Sequence, residues 1–268
     1  MNLPIIFPKN HEDIHINATN KQFDWFRDGR GMMWPDNHNF FVIAGFLYCP
    51  ILYLSIKIMK YFKPFNLRLP LFIWNLTIGI LSGIGAYKVL PWIYNDLQYN
   101  NFNDHICNHE NAYTSNVAFY VAVFNATKIF EWIDTIFLVL RKKKIIFLHW
   151  FHHIITYLYC WHGMLFSYRA DVSGFWFAGI NMFVHAIMYS YYALTSIGIK
   201  LPISMFVTFI QTFQMLTGLI LIYTCINNCD DSWERNWHGH LFASLMYFTY
   251  LILFTQIFIS KYCKSKRD

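Results

Sequence analysis

The chain has 268 residues, of which 56% are hydrophobic, 21% aromatic and only 13% charged. That balance excludes an ordinary soluble enzyme, in which about a quarter of the residues would carry charge, and predicts an integral membrane protein. The net charge of +6 does not indicate nucleic acid, because the lysines and arginines flank apolar runs instead of forming a basic stripe on a soluble fold.

Residues 1–38 are polar and mixed, and Trp25, Phe26 and Trp34 suit a segment lying against a membrane surface. Met1 to Pro8 lacks the basic start and long apolar core of a signal peptide, so the first span is expected to act as the targeting signal. Asn17-Ala-Thr19 is a glycosylation sequon. Seven apolar runs follow, at about 39–60, 69–94, 114–140, 145–168, 174–196, 201–226 and 237–260, each near or above the ~20 residues that cross a bilayer. The expected fold is therefore all-α, with one transmembrane domain at 39–260 and a basic tail at 261–268. Short linkers make successive helices antiparallel neighbours in a bundle.

Charge sets the orientation. One side receives Lys57, Lys60, Lys63 and Arg68, then Arg141 to Lys144, Lys200, and finally Lys261, Lys264, Lys266 and Arg267. The other receives Lys9, Lys21, Arg27, Arg30, Arg169 and Arg235. The first side is read as cytosolic, which puts the N-terminus, Asn17, Cys107 and Cys229 in an oxidising compartment. Cys107 and Cys229 are the two of six cysteines that fall in polar loops, which predicts either a disulfide between those loops or two free thiols. Lys264 and Lys266, three and five places from the C-terminus, resemble a dilysine retrieval signal of endoplasmic-reticulum membrane proteins.

Polar residues gather inside four of the apolar runs. Lys128, Glu131, Asp134 and Thr135 fall on one helical stripe of the third run, and His149, His152 and His153 share a face of the fourth. Counted at 1.5 Å per residue, Glu131 and Asp134 lie roughly 10 to 15 Å from the cytosolic end and the histidines roughly 6 to 12 Å, so they share a depth. The fifth run adds Asn181, His185, Tyr189, Tyr191 and Tyr192, and the sixth adds Thr208, Gln211 and Gln214 at intervals of three. A charged group at the centre of a bilayer costs on the order of 2.5 kcal/mol or more, so such residues are a functional-site candidate. A polar chamber open to the cytosol with an apolar extension behind it suits an amphipathic substrate. Lys128 with Glu131 also reads as a structural ion pair, the tyrosines as an aromatic belt, and the glutamines as helix-to-helix glue.

A histidine triplet of the form H-x-x-H-H serves as a metal ligand set or as acid, base or nucleophile. The two-iron desaturases and hydroxylases need several such boxes on one membrane face. Here His11, His15, His105 and His109 fall on the opposite side, which leaves too few ligands and no metal is expected. A seven-span transporter or receptor for an amphipathic ligand is the non-catalytic alternative.

The same residues resemble the ELO fatty-acid elongases, the condensing enzymes of very-long-chain fatty-acid synthesis. The family pattern K-x-x-E-x-x-D-T stands at Lys128, Glu131, Asp134 and Thr135, and the histidine box at His149, His152 and His153. H-x-x-M-Y-x-Y-Y stands at His185, Met188, Tyr189, Tyr191 and Tyr192, and T-x-x-Q-x-x-Q at Thr208, Gln211 and Gln214. Trp150 resembles the branch that extends saturated and monounsaturated chains of medium to long length, although Phe151 stands where that branch usually has tyrosine.

The resemblance implies that a long-chain acyl-CoA condenses with malonyl-CoA to a 3-oxoacyl-CoA, with loss of carbon dioxide and CoA and without metal or reductant. It implies an endoplasmic-reticulum membrane enzyme with membrane lipid around it and the reductases and dehydratase of the elongation cycle as partners; self-association is left open. No cysteine lies at the depth of the polar layer, so an acyl-histidine is expected, with His152 as nucleophile on the strength of the resemblance. His149 and His153 would orient it, His185 and Asn181 would polarise or protonate, Asp134 would fix an imidazole tautomer and Gln211 would stabilise an oxyanion. Lys128, Glu131, Tyr189, Tyr192 and Gln214 are expected to contact substrate, and Arg141, Lys142, Lys143 and Lys144 to form a basic mouth for CoA. Leu216, Leu219 and Ile220 are candidates for the wall that ends the acyl chamber.

Overall fold

The computed structural model describes residues 38–107, 117–166, 172–229 and 232–263. The N-terminal segment with Asn17, and Lys264 and Lys266 of the tail, lie outside the described residues. All regular structure among the described residues is helical: α1 His38–Met59, α2 Arg68–Tyr99, α3 Phe102–Cys107, α4 Val117–Phe130, α5 Trp132–Leu140, α6 Phe147–Phe166, α7 Ser173–Ser196, α8 Ser204–Asn228 and α9 Ser232–Phe258. A π-turn, Ile259–Cys263, continues α9. Four stretches, Phe40–Met59, Arg68–Tyr99, Ser204–Asn228 and Trp237–Cys263, are long and apolar enough to cross a membrane. The others carry the histidines, tyrosines and buried charges, which lower their hydropathy, and one is split at Glu131.

Helix ends are closed by local chemistry. After α5 the amides of Lys142 and Lys143 donate to the carbonyls of Val139 and Leu138 at 3.0 and 2.9 Å, with Lys142 at φ 52°. After α7, Gly198 at φ 96° and Ile199 do the same to Thr195 and Leu194 at 3.1 Å each. Both are Schellman ends, in which a left-handed residue turns the chain so that orphan carbonyls are satisfied, and Lys142 does this without the usual glycine.

The rods form a closed ring. α2 packs most extensively on α7, α7 on α8, α8 on α9, α9 on α6, α6 on α4, and α4 back on α2, while α1 lies outside against α5 and α6. Outward faces are apolar, as lipid contact requires, with Phe46, Ile80, Phe209 and Phe248 all more than half exposed. Leu216 and Ile220 belong to this outer face, 43% and 57% exposed, so they do not wall an interior chamber.

At one end of the ring Cys107 and Cys229 are joined by a disulfide, with their Cα atoms 5.2 Å apart. The short α3 is tied down there as well. Trp176 Nε1 donates to His105 Nε2 at 3.0 Å, which leaves Nδ1 of that ring to donate to Asp96 at 2.5 Å, and Val172 donates its amide to Ile106 O at 2.8 Å. Arg68, Arg141, Gly198 and Lys261, at four helix ends, mark the opposite, basic end. Between the two, Met215, Met246 and Tyr250 pack with Phe151, Tyr159, Phe242 and Tyr247, and fill the core toward the disulfide.

Candidate active site

The site begins with the interruption at Glu131. Its amide still reaches Thr127 O at 3.0 Å, but Asp134 N bonds back to Glu131 O at 3.1 Å, a three-residue turn that separates α4 from α5. The side chains on either side of this turn reach different partners. Lys128, 2% exposed, donates from Nζ to Glu131 Oε1 at 2.6 Å and to Asn181 Oδ1 at 3.2 Å, with the Phe124 ring 4.0 Å away. Glu131 Oε1 also lies 3.6 Å from His185 Nδ1. One buried carboxylate thus joins an ammonium on its own rod to an imidazole on α7.

Beyond the turn, Asp134 accepts a hydrogen bond from Trp74 Nε1 on one oxygen at 2.6 Å and from the Tyr189 hydroxyl on the other at 2.5 Å. It fixes α5 between α2 and α7 and, among the described residues, hydrogen-bonds no imidazole, contrary to the tautomer role expected from sequence. The imidazole contact is made by Thr135 instead, whose hydroxyl is 2.9 Å from His149 Nε2 and 2.7 Å from the Tyr48 hydroxyl. The rings of His149 and His153 are 4.5 Å apart. His152 sits differently: its ring lies 5.0 Å from Tyr250 and 6.4 Å from Phe254, and among the described residues no side-chain hydrogen bond engages it. Tyr250 steadies the local backbone, donating to His152 O at 3.2 Å.

These groups surround a chamber of about 790 Å³ that opens at the basic end. His149, His152, His153, His185, Glu131, Asp134, Tyr189, Tyr192, Gln211 and Gln214 all line it. The three box histidines and His185 thus face one space from two helices. Gln211 Nε2 points at Met188 Sδ, 3.0 Å away. Among the described residues no three histidine, cysteine, aspartate or glutamate side chains are placed to share a metal ion.

The profile of the ELO: GNS1/SUR4 family matches residues 33–268. The chain belongs to the ELO family. Very long chain fatty acid elongase 6 of Mus musculus is 34% identical to it over 269 residues, covering 98% of this chain and 96% of the mouse protein. Very long chain fatty acid elongase 4 of Trypanosoma cruzi is 36% identical over 234 residues, covering 82% and 80%. The human elongase 6 is 34% identical over 274 residues, covering 100% and 98%.

Not every expected site residue of this ELO chain reaches the chamber. Lys128 and Asn181 lie behind the lining, where the ammonium is consumed by Glu131 and the amide oxygen by Lys128. Lys142, Lys143 and Lys144 are exposed on the Schellman turn outside it, so of the basic tetrad Arg141 alone lines the mouth. Arg68 and Lys261 complete that mouth. Both were legible only as flanking charges, a signature they share with every other topology lysine. The chamber lining reaches no deeper than His153, His185, Gln214 and Phe254, and beyond them come the methionines and tyrosines of the core.

Proposed function

We propose that this protein is the condensing enzyme of fatty-acid elongation, joining a long-chain acyl-CoA to malonyl-CoA at the histidine-lined chamber. The observation that carries the reading is the placing of four imidazoles beneath a mouth of Arg68, Arg141 and Lys261, in a family whose relatives are named very long chain fatty acid elongases. Guanidinium and ammonium groups suit the phosphates of two CoA thioesters, and the imidazoles lie at the depth a bound thioester would reach.

In this reading His152 is the nucleophile, a choice that leans on the family resemblance: among the described residues a side-chain hydrogen bond holds the ring of His149, to Thr135, but not that of His152 or His153. A ring nitrogen of His152 attacks the thioester carbonyl, the C–S bond breaks, and CoA leaves as the thiol after taking up a proton. His185, held by Glu131, is placed to hold that proton. Malonyl-CoA then enters the vacated mouth and loses carbon dioxide to give an enolate. Its carbon attacks the acyl-imidazole, the C–N bond breaks, the departing ring nitrogen takes up a proton from water to regenerate neutral His152, and a 3-oxoacyl-CoA two carbons longer departs. No metal or redox cofactor takes part.

All seven rods, with α4 and α5 counted as one, cross the endoplasmic-reticulum membrane in this reading, with the basic end cytosolic and the disulfide end lumenal. Reductases and a dehydratase of the same membrane consume the product. The test is turnover by the purified protein in vesicles: labelled malonyl-CoA should yield labelled 3-oxoacyl-CoA, and long-chain acyl-CoA alone should leave an acyl adduct on His152 detectable by intact-protein mass spectrometry. Release of CoA only when malonyl-CoA is present, with no adduct, would replace the acyl-histidine by direct condensation in a ternary complex.

A further inference from the structure

A second cavity, of about 490 Å³, runs along the outside of the ring on the seam between the start of α6 and the end of α9. Its walls are Phe147, Leu253, Gln256, Ile259 and Ser260, together with Ile146, Leu148 and Ile257. The last three also line the catalytic chamber, so the same side chains border both spaces. Phe147 and Ile259 are 51% and 45% exposed on the outer, apolar face. Ser260 donates its hydroxyl to Ile257 O at 3.0 Å, which leaves the Gln256 amide as the main polar group on an otherwise aliphatic and aromatic wall. The π-turn starts here: Ile259 and Ser260 fall on the groove while the next residue, Lys261, falls on the chamber mouth. Wide turns of this kind are rare and are frequently found at functional sites.

We propose that this seam is a lateral gate through which the hydrocarbon tail of an acyl-CoA passes between the cytosolic leaflet and the chamber, while its headgroup stays at the basic mouth. The proposal rests on the condensing reading above. An acyl-CoA in a membrane keeps its tail among lipid chains and its charged head in water. Threading that tail end-on past Arg68, Arg141 and Lys261 would expose every methylene to a polar, hydrated passage, and the cost grows with the apolar area uncovered. Sideways entry keeps the tail in hydrocarbon throughout. The three bordering side chains suit a gate, since Ile146, Leu148 and Ile257 carry no polar atom and can change rotamer without breaking a hydrogen bond. The occupant of the groove is thus a single acyl chain in transit, continuous with the chamber behind it.

The gate is tested with the full-length protein in phospholipid vesicles, using a long-chain acyl-CoA that carries a photoreactive diazirine at mid-chain. Irradiation should label peptides containing Phe147 and Leu253–Ser260, and an excess of ordinary acyl-CoA should abolish the labelling. Labelling of that groove that acyl-CoA does not compete away, and that a diazirine phospholipid reproduces, would show annular lipid only and would overturn the proposal. In a second arm, Gln256→Trp and Ser260→Trp fill the groove from outside the chamber lining. They should slow acyl-CoA binding about ten-fold while leaving unchanged the rate at which pre-bound acyl-CoA condenses once malonyl-CoA is added. Binding at the wild-type rate by both folded variants would equally overturn it, and if neither folds the labelling result decides. A wild-type protein that binds and is labelled but never condenses would refute the enzymatic reading and leave the gate standing.

Discussion

Glu131→Gln is the most informative single change. It keeps the volume of the side chain but leaves Lys128, 2% exposed, with an amide at 2.6 Å, the Asn181 oxygen at 3.2 Å and the Phe124 ring in place of a carboxylate. At that separation the direct attraction lost is about 6 kcal/mol for an effective dielectric of 20. Part of it is offset by the desolvation that both charges already suffer, so the net destabilisation expected is about 3–5 kcal/mol, the usual result of stranding one buried charge. Lys128→Met with Glu131→Gln removes both charges, and that double variant should recover at least about 2 kcal/mol of what the single variants predict in sum. Stability would be read from unfolding in detergent, and activity from labelled malonyl-CoA. The double variant should stay at least about 100-fold slow, on the scale of a lost acid–base contribution, because His185 has lost its carboxylate partner. Strict additivity of the two single changes, or full activity in the double variant, would refute the idea that Glu131 serves both the fold and His185.

Thr135→Val removes the hydroxyl shared by Tyr48 and His149 and should cost about 1–3 kcal/mol in stability, more than Tyr48→Phe, which removes one of the two bonds; paired thermal unfolding curves check this. Tyr247→Ala, next to Met246 in the packed core beyond the chamber, should lengthen the longest product seen by mass spectrometry, whereas Ile220→Ala on the outer face should leave the distribution unchanged. Reducing or deleting the Cys107–Cys229 bond, which closes a sequence separation of 122 residues, should destabilise the protein by at most about 5 kcal/mol from loop-closure entropy, measured by unfolding with and without reductant.

Much of this architecture is written in the sequence. Apolar run length places helix ends within a few residues at α1, α6, α7 and α8, because little else can fill a bilayer. The histidine spacing gave a common face, and His149, His152 and His153 do line one chamber. What was not legible is partner choice across long separations. Asp134 is held by Trp74, 60 residues away, and Thr135 by Tyr48, 87 residues away; a tryptophan or tyrosine inside an apolar run carries no mark of what its polar atom will meet. The turn at Glu131 was hidden for another reason. No proline or glycine lies between Lys128 and Thr135, so the helical stripe reads as unbroken. Lys128 and Asn181 were then expected in the chamber, where tertiary packing instead put them behind its wall.

The ring's closure order has a consequence for how the chain is made. A growing polypeptide releases α4 and α5 before α7 exists, and Asn181 follows Lys128 by 53 residues while Tyr189 follows Asp134 by 55. At ordinary synthesis rates those partners arrive about 3–10 s late. During that interval Lys128 needs a counter-charge that depends on no later helix. Glu131, one turn further along the same rod, supplies it as soon as the rod forms. The nascent segment is therefore neutral at this point before the ring can close, and α7 joins a pair already made.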